Sequence, residues 1–164
     1  MSKGYSLTIK FNSENDINRQ VDSTPMRIII NLPMYTMNSD EGSKDQRLFN
    51  LSHELVHALT PDEKSEVTVF EEGLATYFSE EYTYKKLRVK LRVPPGKEAY
   101  AIAGNLVRQL LKMDKAIVKK LRERHPDRKL SELTEDDFID VLGPEVTSLA
   151  KSLTKQFNPM SKGW

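Results

Sequence analysis

Along its first third the chain changes the period of its apolar positions. Residues 5 to 11 (YSLTIKF) alternate apolar and polar side chains, and 26 to 35 (MRIIINLPMY) carry a β-branched run ended by Pro33. Both patterns predict strands, with 12 to 24 as a polar loop between them. After a second loop, NSDEGSKD, Leu48, Leu51, Leu55, Val56 and Leu59 recur at helical spacing, which predicts a helix over 45 to 59. Pro61 ends it, and TPDE reads as a cap, a first-turn proline and a capping glutamate for a second helix from 61 to about 84. Val67, Phe70, Leu74, Tyr77 and Phe78 keep the helical period through that stretch. Gly73 interrupts it, which a helix tolerates best where something must approach its backbone closely.

The stretch KKLRVKLRV sets Leu87, Val89, Leu91 and Val93 in alternation with Lys86, Arg88, Lys90 and Arg92. That is the pattern of a half-buried strand or extended arm, and PPG closes it. From 97 to about 124 the spacing is helical again, ended by His125-Pro126. Two shorter helices are predicted beyond: TEDDFIDVL with Thr134 as cap, and PEVTSLAKSLTKQF with Pro144 in its first turn. The tail, NPMSKGW, is expected to be loose.

At 164 residues and 38% hydrophobic content the chain can bury one good core and is short for two, so a single domain over 1 to 164 is expected. Its 25 basic and 24 acidic residues leave a net charge of +1, too little to draw the whole chain to nucleic acid or anionic lipid. The opening MSKGYSLTIKF lacks the apolar run of a signal peptide and no stretch approaches membrane-spanning length, so a cytoplasmic protein is expected. Without cysteine, disulfides and thiolate chemistry are excluded, and only His, Asp, Glu and water remain as metal ligands.

Two of the three histidines, His53 and His57, stand four apart in HELVH. On a helix that spacing sets them one turn apart and nearly in line, so both imidazoles can aim at one ion. Glu54 lies about 100° further round, beside an ion rather than on it. A carboxylate there suits a general base, which takes the proton of an attacking water and returns it to the leaving amine. The plain alternative is a partly exposed helix with structural histidines. A hydrolytic zinc site also needs a third protein ligand with one position left open. No third histidine follows at short range, but Glu71 and Glu72 do.

HELVH followed by EEGLATY resembles the gluzincin metallopeptidases, especially their aminopeptidase branch, over about thirty residues. In that family the glutamate directly before glycine is the third zinc ligand, so the resemblance implies Glu72 rather than Glu71. It further implies a Zn2+ cofactor, peptide-bond hydrolysis and a zincin-like fold in which strand 26 to 35 is an edge that pairs with extended substrate. The gap from His57 to Glu72 is shorter than the family's, and no motif for a substrate amino terminus is present, so aminopeptidase specificity is not implied.

The short gap constrains the second helix. Continuous from Pro61, it would carry Glu72 about 17 Å along its axis, while His57 sits only about 5 Å before the turn. An antiparallel return would overshoot the ion. TPDEK is therefore expected to form a loop or single turn, with the helix starting near Ser65 or Glu66 and Glu72 in its second turn.

Thr76, one turn after Glu72, is placed either to accept the outer N–H of a ligating imidazole or to point into ordinary core. Glu71 is either a carboxylate supporting the ligands from behind or an exposed acid. Tyr77, Tyr82, Tyr84 and Tyr100 all follow the motif, and Tyr100, at the start of the long helix, is the choice for stabilising a developing oxyanion. His125 reads as a solvated residue on a helix dipole. The basic alternation from Lys86 reads as a solvated strand face before an acidic-substrate or nucleic-acid surface.

These readings combine into an α+β, zincin-like domain with a short N-terminal β-sheet, an active-site helix and a mostly helical C-terminal half. His53, His57 and Glu72 would hold zinc, Glu54 and Tyr100 would act catalytically, and the partner would be a peptide or protein substrate, without membrane or nucleic acid. Two rival readings use the same residues. One is a narrow regulatory protease that cuts a single partner such as a repressor. The other is a zincin-shaped module that holds metal or binds nucleic acid without catalysis, which would have no use for Glu54.

Overall fold

The computed structural model describes residues 6–12, 18–23, 26–33, 41–59, 66–88, 90–91, 93 and 96–161. Among them run six α-helices: α1 (Glu41–Ala58), α2 (Val69–Leu87), α3 (Glu98–Met113), α4 (Ile117–Arg124), α5 (Glu135–Leu142) and α6 (Thr147–Leu153). Single 3-10 turns at Leu130–Glu132 and Pro144–Val146 join the later ones.

The expected α+β class with an N-terminal sheet is overturned. Of the residues whose side chains are described, 72% are helical and 3% extended, no sheet lies among them, and the chain is mostly helical. Among the residues whose side chains are described, the main core takes its buried members from α2 to α6 and the turns between them. In the N-terminal stretch the backbone is extended over β1 (Ser6–Asn12), β2 (Asn18–Ser23) and β3 (Met26–Pro33), in the order β1-β3-β2. β3 pairs parallel with β1 and antiparallel with β2. Both of its edges are thus used, so the strand expected as an edge for extended substrate is the central one.

Two compact units divide the chain, one of Met1–Lys64 with Phe78–Leu91, the other of Ser65–Tyr77 with Arg92–Trp164. In the first, α1 runs beside β3 and buries Phe49, Ser52, Val56 and His57. Leu51, Leu55 and Ala58 are partly buried in a small apolar cluster. Leu59 leaves the predicted stripe and is 76% exposed, because the helix stops at Ala58 and the Leu59 N–H turns back to the Val56 carbonyl at 3.1 Å. The helix also begins earlier than predicted, its backbone extending through the expected loop from Glu41.

The later half of α2 belongs to the same unit and replaces the start of the predicted strand KKLRVKLRV. Lys86 and Leu87 form its last turn. Arg88 then takes φ 59, and its N–H bonds the Tyr84 carbonyl at 2.9 Å, a left-handed helix end in a residue other than glycine. The lysines pair with aromatic faces, Lys86 over Tyr82 at 5.8 Å and Lys90 over Tyr84 at 5.7 Å. An alternation of only four pairs gave way to a helix that already had its period, and no strand forms among the described residues of this stretch; Val89 and Arg92 lie outside them.

In the second unit Phe70 meets Phe138 edge to face at 5.1 Å within a core of Val107, Leu110, Ile117, Leu121 and Leu153. α2 approaches α3 so closely at Gly73 that a Cβ there would lie 2.4 Å from the Ala103 carbonyl oxygen and 2.8 Å from a Val107 methyl. That approach is what the glycine permits. One turn on, Thr76 meets Gly104, where a Cβ would stand 3.2 Å from its methyl.

The single helix predicted from 97 to 124 is two. Asp114 breaks it with φ −150 and ψ 113, its carboxylate accepting from the Ala116 amide at 2.8 Å and from Lys120 at 2.6 Å. An aspartate that bonds the backbone two residues on offers the chain a turn in place of a helix. The last predicted helix, 144 to 157, opens with a 3-10 turn at Pro144 and ends at Leu153, so Lys155, Gln156 and Phe157 leave it.

His125 is not the solvated residue expected. Its Nε2 lies 3.2 Å from a carboxylate oxygen of buried Asp137, at an angle that forms an ion-pair contact without a hydrogen bond. The other oxygen accepts from Arg128 and from the amide and hydroxyl of Thr134 at 2.8 and 2.9 Å, which caps α5 as predicted. Burial pushes the Asp137 carboxyl up, but the Thr134 donors and the His125 and Arg128 charges outweigh it and hold it below its ordinary value.

Two predictions follow from this packing. Gly73→Ala drives a methyl into the Ala103 carbonyl and should cost about 1–3 kcal/mol or more in chemical denaturation. Asp137, lowered on folding, contributes stability that is complete above its unfolded pKa of about 3.9 and is lost as pH falls through the folded value. Acid unfolding followed by circular dichroism should therefore flatten between about pH 5 and 2 in Asp137→Asn, which is less stable than the native chain at neutral pH.

Candidate metal centre

α1 continues unbroken through HELVH, so the four-residue spacing acts as helix geometry requires. The Nε2 atoms of His53 and His57 converge to 3.3 Å, their rings edge to face at 63°. Two nitrogens bound at about 2.0–2.1 Å to one tetrahedral ion stand about 3.3–3.4 Å apart. The pair therefore has the separation that a shared ion needs, and in its absence one ring can donate to the other. His57 is buried and His53 partly so.

α2 supplies the acidic side. It starts at Val69, later than the predicted Ser65 or Glu66, so Glu72 falls in the first turn rather than the second. The helix predicted locally from Pro61 does not run through Glu66 to Thr68; residues 60 to 65 lie outside the described ones. The signal that sets the start is a second Thr-x-x-Glu, TVFE, which sequence reasoning passed over in favour of TPDE. Thr68 accepts the Glu71 amide on its hydroxyl at 3.3 Å and the Glu72 amide on its carbonyl at 3.0 Å. It is the cap.

Glu71 and Glu72 are buried to 2% and 6% exposure. The partial positive charge of the helix start favours both carboxylates there. Glu71 is thus not the exposed acid that was one of its two readings. Thr76 is buried with its methyl against Gly104, and its hydroxyl has no hydrogen-bond partner among the described residues.

His53, His57 and Glu72 each offer a ligand atom, and all three atoms lie within 4.8 Å of one another. The group could bind a metal ion. Two imidazoles and one carboxylate suit a borderline divalent ion and leave a coordination position free.

No family model, no curated protein and no solved structure matches the chain.

Glu54 is half-buried on α1, one residue beyond His53. Tyr100 is in the first turn of α3, its ring 4.9 Å from Phe157 with the Lys97 ammonium 5.5 Å over it. No helix among the described residues is long and apolar enough to cross a membrane.

Ligand assignment can be tested by cobalt titration, reading visible absorption. Glu72→Ala should lose more than the about 10–100-fold that partners behind a ligand cost. Glu71→Ala should stay closer to the native affinity than that, and the reverse order would exchange the two assignments.

Proposed function

We propose that this chain is a zinc-dependent metallopeptidase, with His53, His57 and Glu72 holding the ion and Glu54 as general base. The observation that carries the reading is the 3.3 Å convergence of the two Nε2 atoms with the Glu72 carboxylate inside the same 4.8 Å group. Three protein ligands fit a hydrolytic site better than a structural one, which is normally closed by four.

A bound divalent ion would supply Lewis acidity, polarising a scissile carbonyl and making water acidic near neutral pH. The residues do the rest. The His pair and Glu72, held on two helices, would fix where the scissile carbonyl stands. Glu54, adjacent in sequence to His53 and about 100° further round the helix, would take the proton of the attacking water and return it to the leaving nitrogen. Burial of Glu72 and His57 keeps bulk water from competing for the ligand atoms. A substrate would be a peptide or protein, and the resemblance of HELVH and EEGLATY to gluzincins points the same way.

Glu54→Gln separates this from a metal-holding module without catalysis. Zinc content should be unchanged, while hydrolysis of a broad peptide library falls by about 10²–10⁴-fold, the usual size of a general-base contribution. If neither the native chain nor the variant hydrolyses any member while both hold zinc, the non-catalytic module is the right reading.

A further inference from the structure

The three residues that leave α6 return to the start of α2. The Val69 N–H bonds the Lys155 carbonyl at 2.9 Å, and the Phe157 N–H bonds the Val67 carbonyl at 2.8 Å. These bonds flank an antiparallel bridge between Thr68 and Gln156. Val69 is the first residue of α2, and its amide is one of those a helix cannot satisfy from within. The segment therefore completes the cap that the Thr68 hydroxyl begins.

Both ends of the segment are secured. Before it, Ala150 and Leu153 are buried in the core, and Thr154 turns its amide and hydroxyl to the Ala150 carbonyl, each at 3.0 Å. Within it, Phe157 packs on Tyr100. After it, Asn158 accepts the Met160 amide on its side chain at 2.9 Å and the Ser161 amide on its carbonyl at 3.0 Å.

We infer that residues 155–157 form a strap that positions Glu72 for the metal, with Tyr100 as its anchor; this rests on the metal reading above. Glu72 is three residues from Val69, and its own amide bonds the Thr68 carbonyl, so the register of the first turn passes directly to it. A slip of one residue at the helix start would rotate Glu72 by about 100° and shift it by about 1.5 Å, enough to take a ligand out of reach. The Tyr100 ring, in this account, is a positioning group acting through Phe157 and Val67.

Cobalt titration of the full chain tests this at a temperature where circular dichroism shows each variant folded. Phe157→Pro removes the N–H that bonds Val67 together with the ring, Phe157→Ala removes the ring alone, and Phe157→Tyr keeps both. The expected order is native affinity for the Tyr variant, weaker binding for Ala, and a loss of about tenfold or more for Pro. Faster hydrogen exchange of the Val69 amide should accompany the loss. Folded Phe157→Pro that binds cobalt within about twofold of the native chain would show that the strap serves stability alone. Should that variant not fold, Tyr100→Ala loosens the same contact from the other side, with Tyr100→Phe as its rescue; equal cobalt affinity in all three chains would again overturn the inference. If the native chain itself binds no cobalt or zinc, the metallopeptidase reading falls and the inference with it. If native and variants bind equally, only the inference falls.

Discussion

A helix start carries amides that its own carbonyls cannot reach, and in α2 those amides must be satisfied beside two buried carboxylates. The Thr68 hydroxyl serves one and the Lys155 carbonyl another. Much depends on this short junction. It sets where α2 begins, and hence which turn holds Glu72. A cap elsewhere costs about 1 kcal/mol when it is lost. Here the same small loss would also shift Glu72, which the metal reading needs in place.

The burial of Glu71 and Glu72 makes the junction costly to assemble, because charges withdrawn from water must be compensated locally. The positive end of α2 contributes part of that compensation. A divalent ion on Glu72 would contribute more, and would couple metal binding to the stability of the second unit. Gly73 is set immediately after these two acids, where α3 comes within carbonyl contact of α2. The carboxylates are thus fixed from two directions, by the bridge at the helix start and by close packing one residue later.

What the sequence revealed and what it hid divide along local and non-local lines. HELVH was legible because its meaning is contained in one helical turn: four residues apart is one turn apart wherever the helix lies. Thr134 and the turn at Pro144 were legible for the same reason. Asp114 was misread because its apolar neighbours keep nearly helical spacing while its carboxylate bonds Ala116 and Lys120. KKLRVKLRV was misread because its alternation is real in the letters but begins inside a helix that had not ended. The α+β class failed because it was inferred from the first third of the chain, whereas the main core is assembled from the helices of the rest.

The choice between TPDE and TVFE shows the limit most clearly. Both spell a capping box, and ligand geometry argued from the short His57 to Glu72 gap that the first could not be used. It could not show that the second would be, since what favours Thr68 is a bridge to Gln156, far along the chain. By itself, the sequence determined the His53–His57 pair, the adjacent Glu54 and the need for a break before Glu72, because each follows from the pitch of a helix. Only tertiary structure decided where the break ends, that Gly73 is a contact rather than a flaw, and that Phe157 belongs with α2, because those outcomes depend on which distant backbone arrives to fill an unsatisfied bond or an open space.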